Sequence, residues 1–126
     1  MPPRICLIDD DVFVLEAMAL GLRDGGFHVL AAPGAAAGLD IARREGMDAI
    51  VTDLNMPGTS GAQLIVEARA LWPSIPIIAI SGASVIDGRS VADVARVLGA
   101  DALLSKPFRA HQLISLLNEL FAARKG

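Results

Sequence analysis

Ala49-Ile50-Val51-Thr52-Asp53-Leu54-Asn55-Met56-Pro57-Gly58 passes from an apolar run, through an acid, into turn-forming residues. Ala49 to Thr52 predicts a strand that ends on Asp53, and Asp53 to Gly58 carries the Asn, Pro and Gly of a turn. Outward from this stretch the same alternation recurs on both sides. Toward the N-terminus lies an alanine-rich helix, Ala35 to Glu45, closed by Gly46. Before it come a strand, Phe27 to Ala31, and a helix, Val12 to Asp24. That helix has Leu15, Met18, Ala19 and Leu22 at helical spacing and stops at Gly25-Gly26. Arg4 to Asp9 is the first strand. Toward the C-terminus, Gly58 to Gly61 is turn material and Ala62 to Leu71 a helix stopped before Pro73. Ile75 to Ile80 is a fourth strand ending on Ser81. Val91, Val94, Ala95 and Leu98 mark a fourth helix, and Ala102 to Leu104 a short fifth strand. Leu113, Leu116, Leu117, Leu120 and Phe121 line one face of the last helix.

Strand–helix alternation of this kind favours a parallel sheet with helices on both faces, and near-continuous apolar strands fit a sheet buried on both sides. The expected architecture is α/β: a doubly wound five-stranded parallel sheet, flavodoxin-like, in strand order 2-1-3-4-5. The 126 residues suit one domain, placed at residues 4–122, with no repeat, linker or output domain expected. Hydrophobic residues make up 53%, enough for a real core. Eleven basic against 14 acidic side chains give a net charge of −3. That balance argues against a nucleic-acid surface, which needs a concentrated basic footprint. The lone Cys6 lies between Ile5 and Leu7 and reads as a buried structural thiol in a reducing compartment. There is neither a membrane-length apolar run nor a signal peptide, so the expectation is a soluble, cytoplasmic protein.

In open α/β sheets, function gathers outside the carboxyl ends of the strands. Here those ends carry Asp9-Asp10-Asp11, Asp53, Ser81 and Ser105-Lys106-Pro107. In the expected strand order the carboxylates of the first and third strands converge. Clustered carboxylates repel, raising at least one pKa unless a cation shares the site. Magnesium is the natural cation, being hard and satisfied by one or two carboxylates, waters and a phosphate oxygen. A lysine at the same rim supplies a point charge for phosphate, and a serine hydroxyl a hydrogen bond. Such a set is suited to phosphoryl transfer, where positioning and charge neutralisation do most of the catalysis. Each piece also has a plain structural reading. The acidic run caps a helix, the reading preferred for Asp11; Asp53 to Gly58 is a turn; Lys106 is a solvated lysine; Ser81 is a loop hydroxyl. Joint placement at four strand ends favours function.

From about Arg4 to Phe121 the chain resembles the receiver domain of two-component response regulators. The resemblance rests on Asp9 and Asp10 after the first strand, and on Asp53 followed by Met56-Pro57-Gly58 and Gly61. It continues with Ser81-Gly82 after the fourth strand and Lys106-Pro107-Phe108 after the fifth. It implies that Asp53 becomes an acyl phosphate, with a histidine kinase or histidine phosphotransfer protein as donor. It implies that Asp10, Asp53 and the backbone carbonyl of Asn55 bind magnesium, with Asp9 assisting through water. Lys106 would contact the phosphoryl group, Ser81 would swing toward it on activation, and Gly82 would leave space for that approach. Pro107 would follow a cis peptide bond that aims Lys106 inward. The downstream partner would be another protein, with neither nucleic acid nor membrane bound directly. The catalysis would be confined to the domain's own phosphorylation and dephosphorylation.

Two departures stand out. Leu103 occupies the place, three before Lys106, where the family commonly carries an aromatic switch residue. Ser84-Val85-Ile86-Asp87-Gly88 lengthens the stretch before the fourth helix and is expected to extend a loop. A magnesium-dependent phosphatase or mutase is the rival enzyme reading, but it usually has a second Asp two residues after the first, where this chain has Asn55. A degenerate receiver that only docks is the other rival, and all the expected phosphorylation residues are present. His28 and His111 lack partners for metal binding. Trp72 before Pro73 reads as a packing residue, and Gly34 and Gly38 complete no nucleotide-binding pattern.

Overall fold

Successive side chains of a strand point to opposite faces, and this splits the core of the protein in two. The computed structural model describes residues 2–55, 61–86 and 88–125. Strands β1 (Arg4–Ile8), β2 (His28–Ala32), β3 (Ala49–Asp53), β4 (Ile77–Ser81) and β7 (Ala102–Ser105) form the sheet. All neighbouring pairs are parallel, in the order β2-β1-β3-β4-β7. With β7 as the fifth strand of the sheet, this is the expected 2-1-3-4-5 order. Ile5, Leu7, Val51, Ile78 and Ile80 face helices α1 (Val12–Asp24) and α5 (Ala110–Lys125). Cys6, Ile8, Ile50, Ile77 and Ala79 face α2 (Ala35–Glu45), α3 (Gly61–Leu71) and α4 (Val91–Leu98). Both faces are therefore dry, and β3 and β4 are buried along their whole length.

Helix ends follow local chemistry. Asp11 caps α1, its carboxylate accepting from the amides of Phe13 at 3.1 Å and Val14 at 3.3 Å. Ser90 caps α4 through the Asp93 amide. Strand starts differ from the sequence expectation in two places. Phe27 belongs to the exit of α1, its amide bonding Leu22, so β2 begins at His28. Pro76 has no N–H to give to a ladder, so β4 begins at Ile77, one residue after the Pro76 carbonyl accepts from Ile50.

A further difference lies between β4 and α4. Where a longer loop is expected, Val85–Ile86 (β5) and Arg89–Ser90 (β6) pair antiparallel as a small hairpin, with Gly88 at φ +78°. The Val91 amide donates to Ser84 O, which ties the start of α4 to this hairpin. Asp87, and the Met56-Pro57-Gly58 turn with the two residues after it, lie outside the described residues.

At the opposite end of the sheet from these loops, Arg69 of α3 ties together two connections, the one from α3 to β4 and the one from α4 to β7. Its guanidinium donates to the carbonyls of Gly99, Pro73 and Ile75 and to the carboxylate of Asp101. Asp101 also accepts from the Ile77 amide at 2.8 Å, which anchors the start of β4. Among the described residues, no helix is long and apolar enough to cross a membrane.

Candidate phosphoryl-transfer site

Register alone brings the candidate residues together. Ile8 pairs with Thr52, so Asp9 and Asp53 leave neighbouring strands one step later. Asp53 pairs with Ile80, and Ser81 with Ser105, which puts Ser81 and Lys106 on the same rim. β1 and β3 are the central neighbours from which the chain winds outward in both directions, the position where open α/β sheets form their crevice.

Lys106 closes the site. Its Nζ lies 2.6 Å from an Asp53 carboxylate oxygen and 3.2 Å from one of Asp9. The Lys106–Pro107 peptide is cis, as expected, and the Lys106 amide donates to Ser81 O at 2.9 Å. The second oxygen of Asp53 accepts from the Asn55 amide at 2.8 Å, and the second oxygen of Asp9 from the Asp11 amide at 2.9 Å. Asp9 is fully buried and Asp53 nearly so, while Asp10 and Asn55 are exposed. The Asp9 oxygens therefore already have partners, whereas Asp10 projects from the mouth of the site.

Burial pushes the Asp9 carboxyl above its ordinary range, against the stabilising pull of the Asp11 amide and of Lys106. Repulsion from Asp53 adds to this but is the least of the causes. The expectation of a raised carboxyl is met, with desolvation rather than clustering as the main reason. For Lys106, burial works to lower the pKa, but the hydrogen bond and charge of Asp53, followed by those of Asp9, outweigh it. The net effect holds the ammonium above its ordinary value.

Asp9, Asp10 and Asp53 present carboxylate oxygens all within 4.8 Å of one another. Three carboxylates against one ammonium leave two negative charges uncompensated, and every donor is a hard oxygen. That donor set fits a divalent cation of the magnesium or calcium kind and not a soft metal.

Ser81 is buried, and its hydroxyl is engaged within its own loop, accepting from the Ala83 amide at 3.0 Å and donating to the Ala83 carbonyl at 3.3 Å. It is on the rim but its hydroxyl makes no hydrogen bond to Asp53. A Cβ at Gly82 would meet nothing within 4 Å, so this position is open. Leu103 is half-buried on β7 and packs against the α2–α4 side of the core. His28 and His111 are exposed, and Trp72 is a half-buried packing residue.

Two contacts beneath Asp53 were not assigned from sequence. The buried hydroxyl of Thr52 donates to the Asp53 carbonyl at 3.1 Å. Gly61, recognised only as part of a motif, lies so close that a Cβ there would stand 1.8 Å from the same oxygen. A signal for the first was present: Thr52 is the one hydroxyl in the apolar run before Asp53.

The response regulator receiver domain family matches residues 5–118. The chain is 36% identical over 122 residues to the transcriptional regulatory protein PrrA of Mycobacterium tuberculosis, covering 97% of this chain and 51% of PrrA. It is 30% identical over 123 residues to the cell cycle transcriptional regulator CtrA of Caulobacter vibrioides, covering 98% and 52%. It thus spans about half the length of each. Among solved structures, a response regulator receiver domain protein from Clostridium thermocellum superposes with a TM-score of 0.88 at 29% identity, covering 98% of this chain and 97% of the other. A CheY-like receiver domain protein from Methanospirillum hungatei gives 0.89 at 26%, covering 99% and 98%. With the acidic pair, the Asp53–Lys106 contact and the sheet order already established on the same residues, the chain belongs to the response regulator receiver domain family.

Proposed function

We propose that Asp53 is the phosphoacceptor of a two-component phosphorelay and that the chain is the switch this modification throws. The observation that carries the reading is the convergence of Asp9, Asp53 and Lys106 from three strand ends, with Lys106 Nζ 2.6 Å from Asp53. An oxygen of the Asp53 carboxylate attacks the phosphorus of a phosphohistidine on a histidine kinase or phosphotransfer protein. The new O–P bond forms as the P–N bond breaks, and the leaving imidazole takes up a proton. Lys106 stays beside the transferring group, where its fixed positive charge offsets the charge gathering on the equatorial oxygens. The Asn55 amide holds one Asp53 oxygen, which leaves the oxygen beside Lys106 as the one that meets the phosphorus. Asp9, Asp10, Asp53 and the Asn55 carbonyl would hold magnesium, which supplies charge neutralisation between carboxylates and phosphoryl oxygens when bound.

Catalysis is limited to the domain's own phosphorylation and dephosphorylation, and the setting is the cytoplasm. Asn55 supports this over a turnover enzyme, since an amide cannot serve as general acid two residues beyond the nucleophile. Output follows from conformational change. The Ser81 hydroxyl exchanges its Ala83 contacts for the phosphoryl group, and the hairpin that carries the start of α4 is next in line. Acetyl phosphate with magnesium should add one phosphoryl group to the wild type and none to Asp53→Asn, read by intact mass. Equal labelling of the two proteins would refute the assignment.

A further inference from the structure

Thr52 is completely buried, and phosphoryl transfer as described gives it no task. Packing alone would be served by valine, which has the same shape and suits a strand at least as well. The hydroxyl instead donates to the carbonyl of Asp53. That peptide unit is held from its other edge too: the Leu54 amide donates to Ile80 O on β4 at 2.9 Å. The trans peptide turns the Asp53 carbonyl the opposite way, toward β1, where the β1–β3 pairing has already ended at Ile8–Thr52. A buried carbonyl just past the end of a ladder needs a donor, and the Thr52 hydroxyl provides one. Gly61 packs against the same oxygen, closing a second approach to it.

We infer that Thr52 is a positioning residue for the phosphoacceptor, its hydroxyl fixing the 53–54 peptide plane and with it the Asp53 carboxylate between Lys106 and the Asn55 amide. The Asp53 side chain branches from one end of that plane, and the Asn55 N–H that holds its Oδ1 lies one residue beyond the other. A tilt of the plane would therefore move both members of that hydrogen bond and lengthen the approach to Lys106. The inference rests on Asp53 being the phosphoacceptor.

The test compares Thr52→Val with Thr52→Ser, both labelled by acetyl phosphate and magnesium and followed by intact mass. Thr52→Val should lower the maximal labelling rate by roughly tenfold, the weight of one neutral hydrogen bond. The acetyl phosphate concentration giving half-maximal rate should not change. Thr52→Ser should restore the rate, since it keeps the hydroxyl. A merely structural hydroxyl would move the urea midpoint and leave the rate alone, so wild-type labelling by Thr52→Val overturns the inference. Equal slowing of the serine and valine variants does the same. Amide exchange at Leu54 and Asn55, read without any phosphodonor, gives a second decision. It should be faster in Thr52→Val than in wild type or Thr52→Ser, and unchanged exchange again overturns the inference. If the wild type itself takes no label at Asp53, the phosphoacceptor reading falls, while the exchange comparison still decides what Thr52 does.

Discussion

Replacing Gly61 by alanine adds one methyl group at the place where α3 meets the end of β3. Its Cβ would stand 1.8 Å from the Asp53 carbonyl oxygen and 2.8 Å from both the Asp53 carbonyl carbon and Leu54 Cα. Ordinary contact starts near 3.4 Å, so the gap must open by about 1.6 Å. All three neighbouring atoms are backbone, and no rotamer change can relieve the overlap. Either α3 retreats, carrying the fully buried Leu64, Ile65 and Ala68 with it, or the Asp53–Leu54 peptide gives way. Overpacking of this kind costs about 1–3 kcal/mol. For a domain of 126 residues that lowers the unfolding temperature by roughly 4–11 °C. If the peptide yields, the Asp53 carboxylate moves by an amount on the order of 1 Å, which is worth about a hundredfold in the rate of a positioned reaction. Urea unfolding and the time course of acetyl phosphate labelling measure the two effects separately. Gly82→Ala is the control for stability, because its Cβ meets nothing within 4 Å and the residue is exposed. Wild-type stability and wild-type labelling in Gly61→Ala together would refute the reasoning. A loss of stability with an unchanged rate would show that the helix yields and Asp53 does not.

Asp10→Ala should weaken magnesium binding clearly in a titration, since Asp10 is the exposed carboxylate of the three. Asp11→Ala should leave magnesium affinity unchanged while costing about 1 kcal/mol in urea unfolding through loss of the α1 cap. Arg69 spends five N–H donations on Gly99, Pro73, Ile75 and Asp101, so Arg69→Gln should lower stability by about 2–4 kcal/mol with little effect on labelling rate. Arg69→Lys should not restore it, because an ammonium cannot reproduce the planar fork. The Cys6 thiol is pushed up to about 12 by burial from an ordinary 9.0. The folded state therefore keeps its proton where the unfolded chain loses it: this contribution is complete below pH 9 and is lost as pH rises toward 12, at about 1.4 kcal/mol per pH unit. Urea midpoints from pH 8 to pH 10.5 should fall more steeply for wild type than for Cys6→Ala, and parallel curves would count against a buried neutral thiol.

The sheet was legible in the sequence because its strands are short apolar runs, four of which end on a chemical marker. Asp9, Asp53, Ser81 and Lys106 could be assigned to one rim before any distance was known, since parallel strands share a direction. Strand starts were less legible, because they depend on backbone partners. Phe27 reads as strand by composition but bonds back to Leu22, and Ile75 lies before a proline that has no N–H to give the ladder. The β5–β6 hairpin escaped because each strand has two residues, too few for any periodicity to register. Thr52 and Gly61 escaped for another reason: their contacts are with a main-chain carbonyl, and sequence patterns report on side chains far better than on backbone partners.

The cause of the raised Asp9 pKa also bears on how the site works. Desolvation, the main cause, follows from β1 being a central strand covered on both faces, so the acid is buried as a consequence of where the fold puts its crevice. An ion pair with Lys106 only partly offsets that cost, because the same ammonium is shared with Asp53 at the shorter distance. The two carboxylates thus compete for one internal cation, and the exposed Asp10 adds charge without adding a partner. A site left with uncompensated negative charge has most to gain from a divalent cation and from a phosphoryl group that arrives with one. Lys106 contributes a charge that is present in every state and never has to be recruited. Its reach into the crevice from the fifth strand of the sheet joins Asp53 to the strand beside α4, and the Lys106 amide bond to Ser81 O ties the same residue to the loop that leads there.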